Sequence, residues 1–341
     1  MTKNFPAFWR KITPISIALL PFSIIFFIIS VLRRKFITPK ELSRKAKIII
    51  IGNISVGGNG KTPSLIALAE ALEKRNYRVG IISRGYGGNN QSIMEVFADS
   101  NPEICGDEAL LIARKLSPLH IPVAIARKRV QAANYLLEKY QELEIIISDD
   151  GLQHYHLPRD FELVLLAPDL ILGNKLLLPA GPLRECSKRL NSVNAIGVFA
   201  ESELASKTPQ FLLSSICDGF FALNTNEYYS LDKIKTLLTN RSSIAISSIA
   251  RPERFFASLE QLGIKLEKQI SFADHSNLSQ ANIIEQIEKQ IEFADFVFIT
   301  EKDAVKTQNW KQDWKAKTFV LQYRVNLPEE LLQKILQTIA N

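Results

Sequence analysis

The stretch GNISVGGNGKTP at residues 52–63, directly after the apolar run Lys47–Ile51, most constrains what this chain can fold into. A buried strand, a glycine-rich loop and a helix, in that order, form a phosphate-binding loop. The pattern G-x-x-x-x-G-K-[ST] fails only at its first position, where Ser55 stands instead of glycine. A residue other than glycine costs nothing there if the turn keeps φ negative. The stretch therefore predicts a nucleotide site.

The later half of this loop carries the groups that would hold a nucleotide. The predicted contacts are Gly57, Gly58, Asn59, Gly60, Lys61 and Thr62. Glycines let successive N–H groups point at phosphate oxygens, Lys61 would neutralise the β- and γ-phosphates, and the Thr62 hydroxyl would bind Mg²⁺. Pro63 suits the first turn of a helix whose positive end faces the anion. A plain glycine-rich turn is the alternative, and it leaves Gly-Lys-Thr at this register unexplained.

Apolar, β-rich runs alternate with helical patterns along the rest of the chain, which is typical of a parallel sheet covered on both faces. The first set of predicted strands is Ala46–Gly52, Arg78–Ser83, Val123–Ala126, Leu143–Ser148, Phe161–Leu166 and Ala195–Phe199. The helices between them are Thr62–Lys74, Asp107–Leu116 and Lys128–Tyr140. A second set has strands at Ser243–Ser248, Gln269–Phe272 and Phe296–Thr300, with helices at Pro252–Leu262 and Ser279–Ile291. We expect an α/β protein with a P-loop NTPase-like parallel sheet domain in residues 41–215 and a smaller α/β domain in residues 216–341.

The N-terminal part, residues 1–40, is expected to associate with a membrane. Residues Ile12–Leu32 are 21 consecutive uncharged positions, which as one helix would extend about 30 Å and could cross a hydrocarbon core. Seven basic residues follow within residues 33–47, and this asymmetry would keep the bulk of the chain in the cytoplasm. A helix lying in the membrane surface is the alternative, because Pro21 is expected to kink or split the helix.

The charge distribution and the cysteine content limit which classes of partner and which covalent cross-links are expected. Residues 1–47 hold ten Lys or Arg and one acid, so the remaining chain carries about −2 of the overall +7. Basicity confined to the N-terminus argues against a nucleic-acid groove. Three scattered cysteines argue against a disulfide framework. We expect no nucleic-acid partner, and the sequence predicts no protein partner.

Acidic residues follow the predicted strand in EIIISDDGLQHYHLPRD. Asp149 and Asp150 stand at the carboxyl end of that strand, where ligands bind in open α/β sheets. A carboxylate there can hold Mg²⁺ directly or through water, whereas a surface turn is the alternative. Gln153 and His154 follow at once and are candidate substrate contacts.

Two further loops carry candidate contacts. In LLPAGPLRE, residues 177–185, Arg184 suits bidentate contact with a phosphate, although salt bridges at the rim are common, and Glu185 is a candidate Mg²⁺ ligand. In SRGYGG, residues 83–88, Arg84 could bind anions and Tyr86 could pack on a sugar or fill a groove.

Three segments have an ordinary structural interpretation when taken alone. Asp107 in CGDEALLIARKL stands where a helix begins, so it is either a general base or a helix-capping residue, and the sequence by itself favours capping. His275 in ADHSNLS precedes another helix and suits a surface position. ITEKDAVK at residues 299–306 has the composition of a solvated charge run.

Together these motifs resemble the tetraacyldisaccharide 4′-kinase family of lipid A biosynthesis. The likeness rests on GNISVGGNGKTP, SRGYGG, GDE, DDGLQH, LLPAGPLRE, DH and TEKDAVK, and it extends from the apolar N-terminus to about Lys306. It implies ATP- and Mg²⁺-dependent transfer of a phosphoryl group to the 4′-hydroxyl of an acylated glucosamine disaccharide 1-phosphate. The acceptor lipid implies a location on the cytoplasmic face of the inner membrane.

The resemblance also implies catalytic roles. Asp107 would be the base and His275 its partner, with Lys61, Asp149 and Asp150 acting on the phosphates or the metal. Since Asp107 and His275 lie in different predicted domains, we expect them to meet when the domains close around substrate.

The chain departs from the family pattern at two positions. Ser276 stands where the family often has a second histidine, and Ser248 stands where a glycine is expected. Two other functions remain open at this point: a membrane-associated P-loop switch ATPase that recruits a partner, and a tethered nucleotide-binding module without catalysis.

Overall fold

The structure, a computed structural model, describes residues 6–57, 60–166, 172–201, 204 and 206–340. These residues divide into two compact units, residues 6–215 together with 325–340, and residues 216–324. The structure thus groups the C-terminal helix with the first unit, whereas the sequence pattern assigned it to the second domain. The apolar face of that helix packs against a strand of the first sheet, and this face determines where the helix belongs.

Two sheets account for the strands. The first sheet contains β1 (Lys47–Gly52), β2 (Val79–Ser83), β3 (Met94–Val96), β4 (Val123–Ile125), β5 (Ile145–Asp149), β6 (Phe161–Leu166), β7 (Ala195–Val198) and β8 (Gln210–Leu212). Its strand order is β3-β4-β2-β5-β1-β6-β7-β8, and only β3 is antiparallel to its neighbour. The second sheet contains β9 (Ser214–Ala222), β10 (Tyr228–Tyr229), β11 (Ser243–Ser247), β12 (Lys268–Ser271), β13 (Phe296–Thr300) and β14 (Thr318–Asn326). Its order is β10-β9-β14-β13-β11-β12.

Helices precede and connect these strands. The first group is α1 (Pro14–Ala18), α2 (Leu20–Phe36), α3 (Lys61–Glu73), α4 (Pro102–Cys105), α5 (Asp107–Leu116) and α6 (Arg129–Lys139). The second group is α7 (Leu231–Leu237), α8 (Pro252–Gln261), α9 (Ala281–Ile291), α10 (Glu301–Ala304), α11 (Gln312–Ala316) and α12 (Glu329–Ala340). Every strand and helix predicted above for the two α/β parts is confirmed, with ends shifted by at most two residues.

The centre of the first sheet explains why its strands were easy to predict. β1 lies between β5 and β6, pairs with both in parallel, and buries Ile48–Ile51 completely. A strand covered by helices on both faces has no solvent side, so its sequence is a continuous apolar run. The carboxyl ends of β1 and β5 therefore meet at one edge of the sheet, and this edge carries the predicted nucleotide loop.

The apolar run at the N-terminus does not form one helix. α1 ends at Ala18 and α2 begins at Leu20, so the break lies beside Pro21, as expected for a residue that lacks a backbone donor. In the part of the chain that the structure describes, no helix is both long and apolar enough to cross a membrane. The expectation of a membrane-crossing helix in residues 12–32 is therefore not supported.

One face of the N-terminal helices packs on the protein through serines. Ser16 and Ser23 are buried, although most side chains around them are exposed. The Ser23 hydroxyl donates to the Leu177 carbonyl oxygen at 2.8 Å and accepts from the Ala180 N–H at 3.1 Å. Ser23 thus ties α2 to the LLPAGPLRE loop.

Candidate active site

Three of the predicted residues converge on the carboxyl edge of β1 and β5. The Lys61 Nζ lies 3.2 Å from one oxygen of Asp150, and an Arg184 guanidinium nitrogen lies 3.1 Å from the other. Burial alone would raise the pKa of Asp150, but Lys61 and Arg184 outweigh burial and hold that pKa below its usual value. Asp150 also has φ +45°, a left-handed conformation that aspartate tolerates better than most residues. The carboxylate is therefore charged and placed between two cations.

The first half of the phosphate loop is held by the LLPAGPLRE segment. The Val56 N–H donates to the Pro182 carbonyl oxygen at 2.9 Å, and the Arg184 N–H donates to the Ile54 carbonyl oxygen at 2.7 Å. Ser55 pairs across this contact with Leu183 and does not adopt a positive φ. Serine is therefore compatible with the first position of the motif, as the sequence predicts.

The second half of the loop leads into α3. Gly60 has φ +69° as the N-cap of α3, and a Cβ added there would lie 2.5 Å from the Phe199 ring. Only glycine fits this conformation and this space. Lys61 and Thr62 begin the helix, so its N-terminal N–H groups face the loop. The predicted contacts Gly58 and Asn59 lie outside the described residues.

Asp149 is the acid at the end of β5, and it is only 3% exposed. Its carboxylate accepts a 3.2 Å hydrogen bond from the Ser83 hydroxyl. Burial, followed by the charges of Glu108 and Asp150, raises the pKa of Asp149 to about 6. Because the negative charges of Glu108 and Asp150 disfavour ionisation of buried Asp149, a cation beside Asp149 would be stabilised.

Arg129, at the start of α6, is a site residue that the sequence analysis missed. Its guanidinium donates to the Asp149 carbonyl oxygen at 2.9 Å and is 3% exposed, and burial lowers its pKa to about 10. Among the described residues, its Nε and Nη1 atoms have no hydrogen-bond partner. Buried donors without partners are costly, so these atoms indicate an acceptor that a ligand would bring. The sequence feature that could have indicated this residue is the position of Arg129 in AIARKRV, just after β4, because β4 ends at the same edge of the sheet as β5.

Asp107 and Glu108 are the first two residues of α5. The charge of Glu108 contributes to the raised pKa of Asp149, so α5 begins near this cluster. Gly106, with φ +85°, occupies the N-cap position, so Asp107 is not the capping residue. A Cβ on Gly106 would lie 2.3 Å from the Tyr86 carbonyl oxygen, which shows that SRGYGG packs against the turn preceding Asp107. The capping role that the sequence favoured for Asp107 is therefore wrong, but Asp107 lies in the first turn of α5, where a negative charge compensates the helix dipole.

The candidate substrate residues have different environments. Arg84 and Tyr86 are exposed, the latter 62%. His154 is partly buried, and burial together with the charges of Arg129 and Arg84 lowers its pKa to about 4, so it is neutral at physiological pH. The Gln153 amide instead makes internal contacts, as the next cluster shows.

Glu185 is the centre of a buried polar cluster behind the loop. One of its oxygens accepts from Gln153 Nε2 at 2.8 Å and the other from the Tyr155 hydroxyl at 2.7 Å. Gln153 Nε2 also donates to the Asn53 carbonyl oxygen at 3.0 Å, and Arg189 Nε lies 3.4 Å from Glu185. Gln153 and Glu185 therefore brace the backbone before the phosphate loop, and the structure uses both side chains internally.

The described residues contain no group of three or more His, Cys, Asp or Glu side chains arranged to hold a metal ion. Mg²⁺ commonly binds through one or two carboxylates, water and substrate phosphates, so a dedicated protein cage is not required. The Asp149 carboxylate beside Glu108 and Asp150, with the Thr62 hydroxyl at the start of α3, fits this mode.

His275 belongs to the second compact unit and is described within it. It follows β12, has φ +62° and is half-buried, and its Nε2 lies 3.7 Å from Asp274 Oδ2. Its pairing with Asp107 stays a prediction.

Comparison with known proteins identifies the family. A sequence model described as Tetraacyldisaccharide-1-P 4′-kinase matches residues 15–340. The chain belongs to this family. It is 39% identical to the tetraacyldisaccharide 4′-kinase of Dichelobacter nodosus, with 98% of each chain covered. It is 41% identical to that of Haemophilus influenzae, with 90% of this chain and 88% of that protein covered. A crystal structure of LpxK from Aquifex aeolicus in complex with ATP superposes with a TM-score of 0.77 at 29% identity, covering 95% and 99% of the two chains.

Proposed function

We propose that the chain transfers the γ-phosphoryl group of ATP to the 4′-hydroxyl of tetraacyldisaccharide 1-phosphate. The convergence of Lys61, Arg184 and Asp150 beside the glycine-rich loop carries this proposal. Two cations at the N-terminus of α3 suit a polyphosphate, and the order of β1, loop and α3 is that of P-loop phosphotransferases. The identity of the acceptor is inferred from the family to which the chain belongs.

Each polar group at the edge of the sheet has a role in this proposal. Lys61 leaves Asp150 to bind the β- and γ-phosphates, and Arg184 binds the transferred group. Arg129 would donate hydrogen bonds from its buried Nε and Nη1 atoms to phosphate oxygens. Thr62 and Asp149 would hold Mg²⁺, whereas Glu185 is not assigned to the metal because both of its oxygens accept hydrogen bonds from Gln153 and Tyr155. When bound, Mg²⁺ neutralises charge on the phosphate oxygens.

The acceptor side rests on Asp107, with His275 as its partner. Asp107, at the start of α5, accepts the proton of the attacking hydroxyl. Arg84 and Tyr86 of the neighbouring SRGYGG loop contact the disaccharide. His154 is neutral and suits hydrogen bonding to a sugar.

A direct assay tests the function. Purified protein is supplied with γ-labelled ATP, Mg²⁺ and tetraacyldisaccharide 1-phosphate, and the products are separated. Label is expected on the lipid. Label that appears only as inorganic phosphate, with and without the lipid, would favour the switch ATPase instead.

Replacement of Asp107 by asparagine should lower kcat by about 10²–10³-fold, because a positioned general base contributes that much. The KM for ATP should stay within threefold, and the control Glu138→Gln, at an exposed position of α6, should keep wild-type kcat. Steady-state kinetics measure both values. A variant that unfolds at lower temperature with unchanged kcat would show that Asp107 serves only the helix terminus.

The proposal also places the chain on the cytoplasmic face of the inner membrane, through the surface of α1 and α2. Within residues 12–32, the large apolar side chains that are more than half exposed are Ile12, Ile15, Ile17, Phe22, Ile24 and Ile25. Arg33, Arg34 and Lys35 follow them in the last turn of α2. Apolar side chains with adjacent cations favour a helix that lies in the surface of an anionic membrane.

The double change Phe22→Glu and Ile25→Glu should weaken binding to anionic phospholipid vesicles by at least tenfold, since each apolar side chain contributes about 1.5–3 kcal/mol on burial. Vesicle co-sedimentation measures the loss. Phe97→Glu is the control, because Phe97 is 55% exposed on another surface of the same unit. Equal binding by wild type and the double variant would remove this segment from the membrane contact.

A further inference from the structure

The TEKDAVK segment, which the proposed function leaves without a role, forms a buried network at the carboxyl end of β13. Its composition suggests a solvated charge run, yet Asp303 is 0% exposed and Lys306 is 2% exposed. Their charged atoms lie 3.4 Å apart. A buried ion pair persists only where other hydrogen bonds satisfy its remaining donors and acceptors, so the contacts of this pair define what it does.

The Asp303 carboxylate joins β13 to the end of β11. One oxygen accepts from the Ser248 N–H at 3.0 Å and the Ser248 hydroxyl at 2.6 Å. The other accepts from the Ser247 hydroxyl at 3.0 Å and the Thr300 hydroxyl at 2.7 Å. Lys306 Nζ donates to the Ser248 hydroxyl at 2.8 Å. Because these contacts satisfy both oxygens, the cluster is suited to hold backbone in place rather than to bind a ligand.

The network extends to the turn that carries His275. The Ser248 carbonyl oxygen accepts from Lys306 Nζ at 3.2 Å and from the His275 N–H at 3.1 Å. The Ser248 hydroxyl also lies 3.2 Å from the Ser276 carbonyl oxygen. Ser248, where the family resemblance predicts a glycine, is thus the residue through which Asp303 and Lys306 reach this turn.

The backbone of His275 needs such support. Its φ of +62° is in the left-handed region, which is unfavourable for a residue with a Cβ. Such a conformation persists when surrounding contacts determine it, and it fixes the direction of the side chain. The contacts on Ser248 N–H, hydroxyl and carbonyl constrain the strand end to which His275 is bonded.

We propose that Asp303 and Lys306 are positioning residues that hold His275 through Ser248. The proposal rests on the proposed function, in which His275 supports the base. It predicts that the network affects turnover without contributing to nucleotide binding.

The double variant Asp303→Asn with Lys306→Met tests this role while leaving no unpaired charge in the interior. We expect kcat to fall by about 10- to 100-fold, since small misplacement of a catalytic group has effects of this size. The KM for ATP should stay within twofold and the midpoint of urea unfolding close to that of wild type. Ser248→Ala should give a smaller loss of kcat, because the backbone contacts of residue 248 remain.

The matched control is Glu288→Gln with Lys311→Met. This pair lies in the same unit, but its lysine is 61% exposed and it has no contact with the Ser248 network. The control should keep wild-type kcat. An equal fall in kcat for both double variants would overturn the proposal, as would wild-type kcat in the Asp303/Lys306 variant.

A second readout does not depend on catalysis. The chain has four histidines, so the imidazole carbon–proton resonances can be assigned by single replacements. The His275 resonance should shift in the Asp303/Lys306 variant and stay in place in the control. An unshifted resonance overturns the positioning role. If wild-type protein fails to phosphorylate the lipid, the proposed function fails, and the resonance comparison still decides whether the network holds His275.

Discussion

Replacement of Lys61 by alanine should lower kcat for phosphoryl transfer by about 10³-fold. Lys61 is the first residue of α3, and its ammonium reaches the edge where β1 and β5 end. A cation at that position stabilises charge on the transferring phosphoryl group, and removal of such preorganised groups typically costs 10²–10³-fold or more. Initial rates of label transfer from γ-labelled ATP to the lipid acceptor measure the effect.

The fold itself should tolerate this change. Lys61 pairs with Asp150, and Arg184 remains on the other carboxylate oxygen after the lysine is removed. Lys74→Ala is the matched control, because Lys74 is exposed at the other end of α3. The control should keep wild-type kcat. A Lys61→Ala variant with more than a tenth of wild-type kcat would exclude the phosphate role for this lysine.

The strands around this lysine could be predicted because the apolar pattern of their sequence agrees with their burial in the folded protein. Ile48–Ile51 form a continuous apolar run, which is typical of a strand buried on both faces. Gly60 and Lys61 follow at fixed spacing, so the position of the loop and of the helix start also follows from the sequence. Even the serine at position 55 could be accommodated in advance, since only its φ mattered.

The parts of the site that could not be predicted depend on which loops meet in space. Arg129 follows β4, and its approach to Asp149 depends on the strand order β4-β2-β5, which the sequence does not encode locally. Gln153 was predicted to contact substrate, yet its amide braces Asn53 and Glu185. A polar residue near a site can serve ligand or scaffold, and only the tertiary partners separate the two.

The structures of two further segments, the charged TEKDAVK segment and the apolar N-terminal run, could not be predicted from composition alone. TEKDAVK has the composition of a solvated run, and the burial of Asp303 and Lys306 depends on serines some 55 residues earlier. The N-terminal run has the length of a membrane span, but Pro21 divides it into two helices. In the first segment composition gave the wrong environment for Asp303 and Lys306, and in the second the length of the run gave one helix where the structure has two.

Burial of Asp149 has a predictable effect on stability. Its pKa is raised from 3.8 to about 6 by burial and by the neighbouring acids Glu108 and Asp150. Between these two values the folded chain binds more protons than the unfolded chain, so the free energy of unfolding falls as pH rises from about 4 to about 6. Above pH 6 the folded metal-free protein carries the full cost of this charge.

Replacement of Asp149 by asparagine should therefore have opposite effects on stability and on activity. At pH 8 in the presence of EDTA, the free energy of unfolding should rise by on the order of 3 kcal/mol, because the pKa shift is about two units and each pKa unit corresponds to about 1.4 kcal/mol. Urea denaturation measures this gain, which should vanish at pH values below the unfolded pKa. In the same variant kcat should fall by at least 10²-fold, since an amide cannot supply the charge that Mg²⁺ needs.

Asp295→Asn is the control for the stability effect, with the opposite sign. The pKa of Asp295 is lowered by hydrogen bonds from the Ser242 N–H and hydroxyl, so loss of its charge should destabilise the protein at pH 8. Asp149→Asn that is less stable than wild type at pH 8 would contradict the buried-charge account of this residue. A gain in stability together with a loss of turnover would show that the chain maintains an unfavourable carboxylate for its chemistry, because the charges of Lys61 and Arg129 offset only part of the cost of burying it.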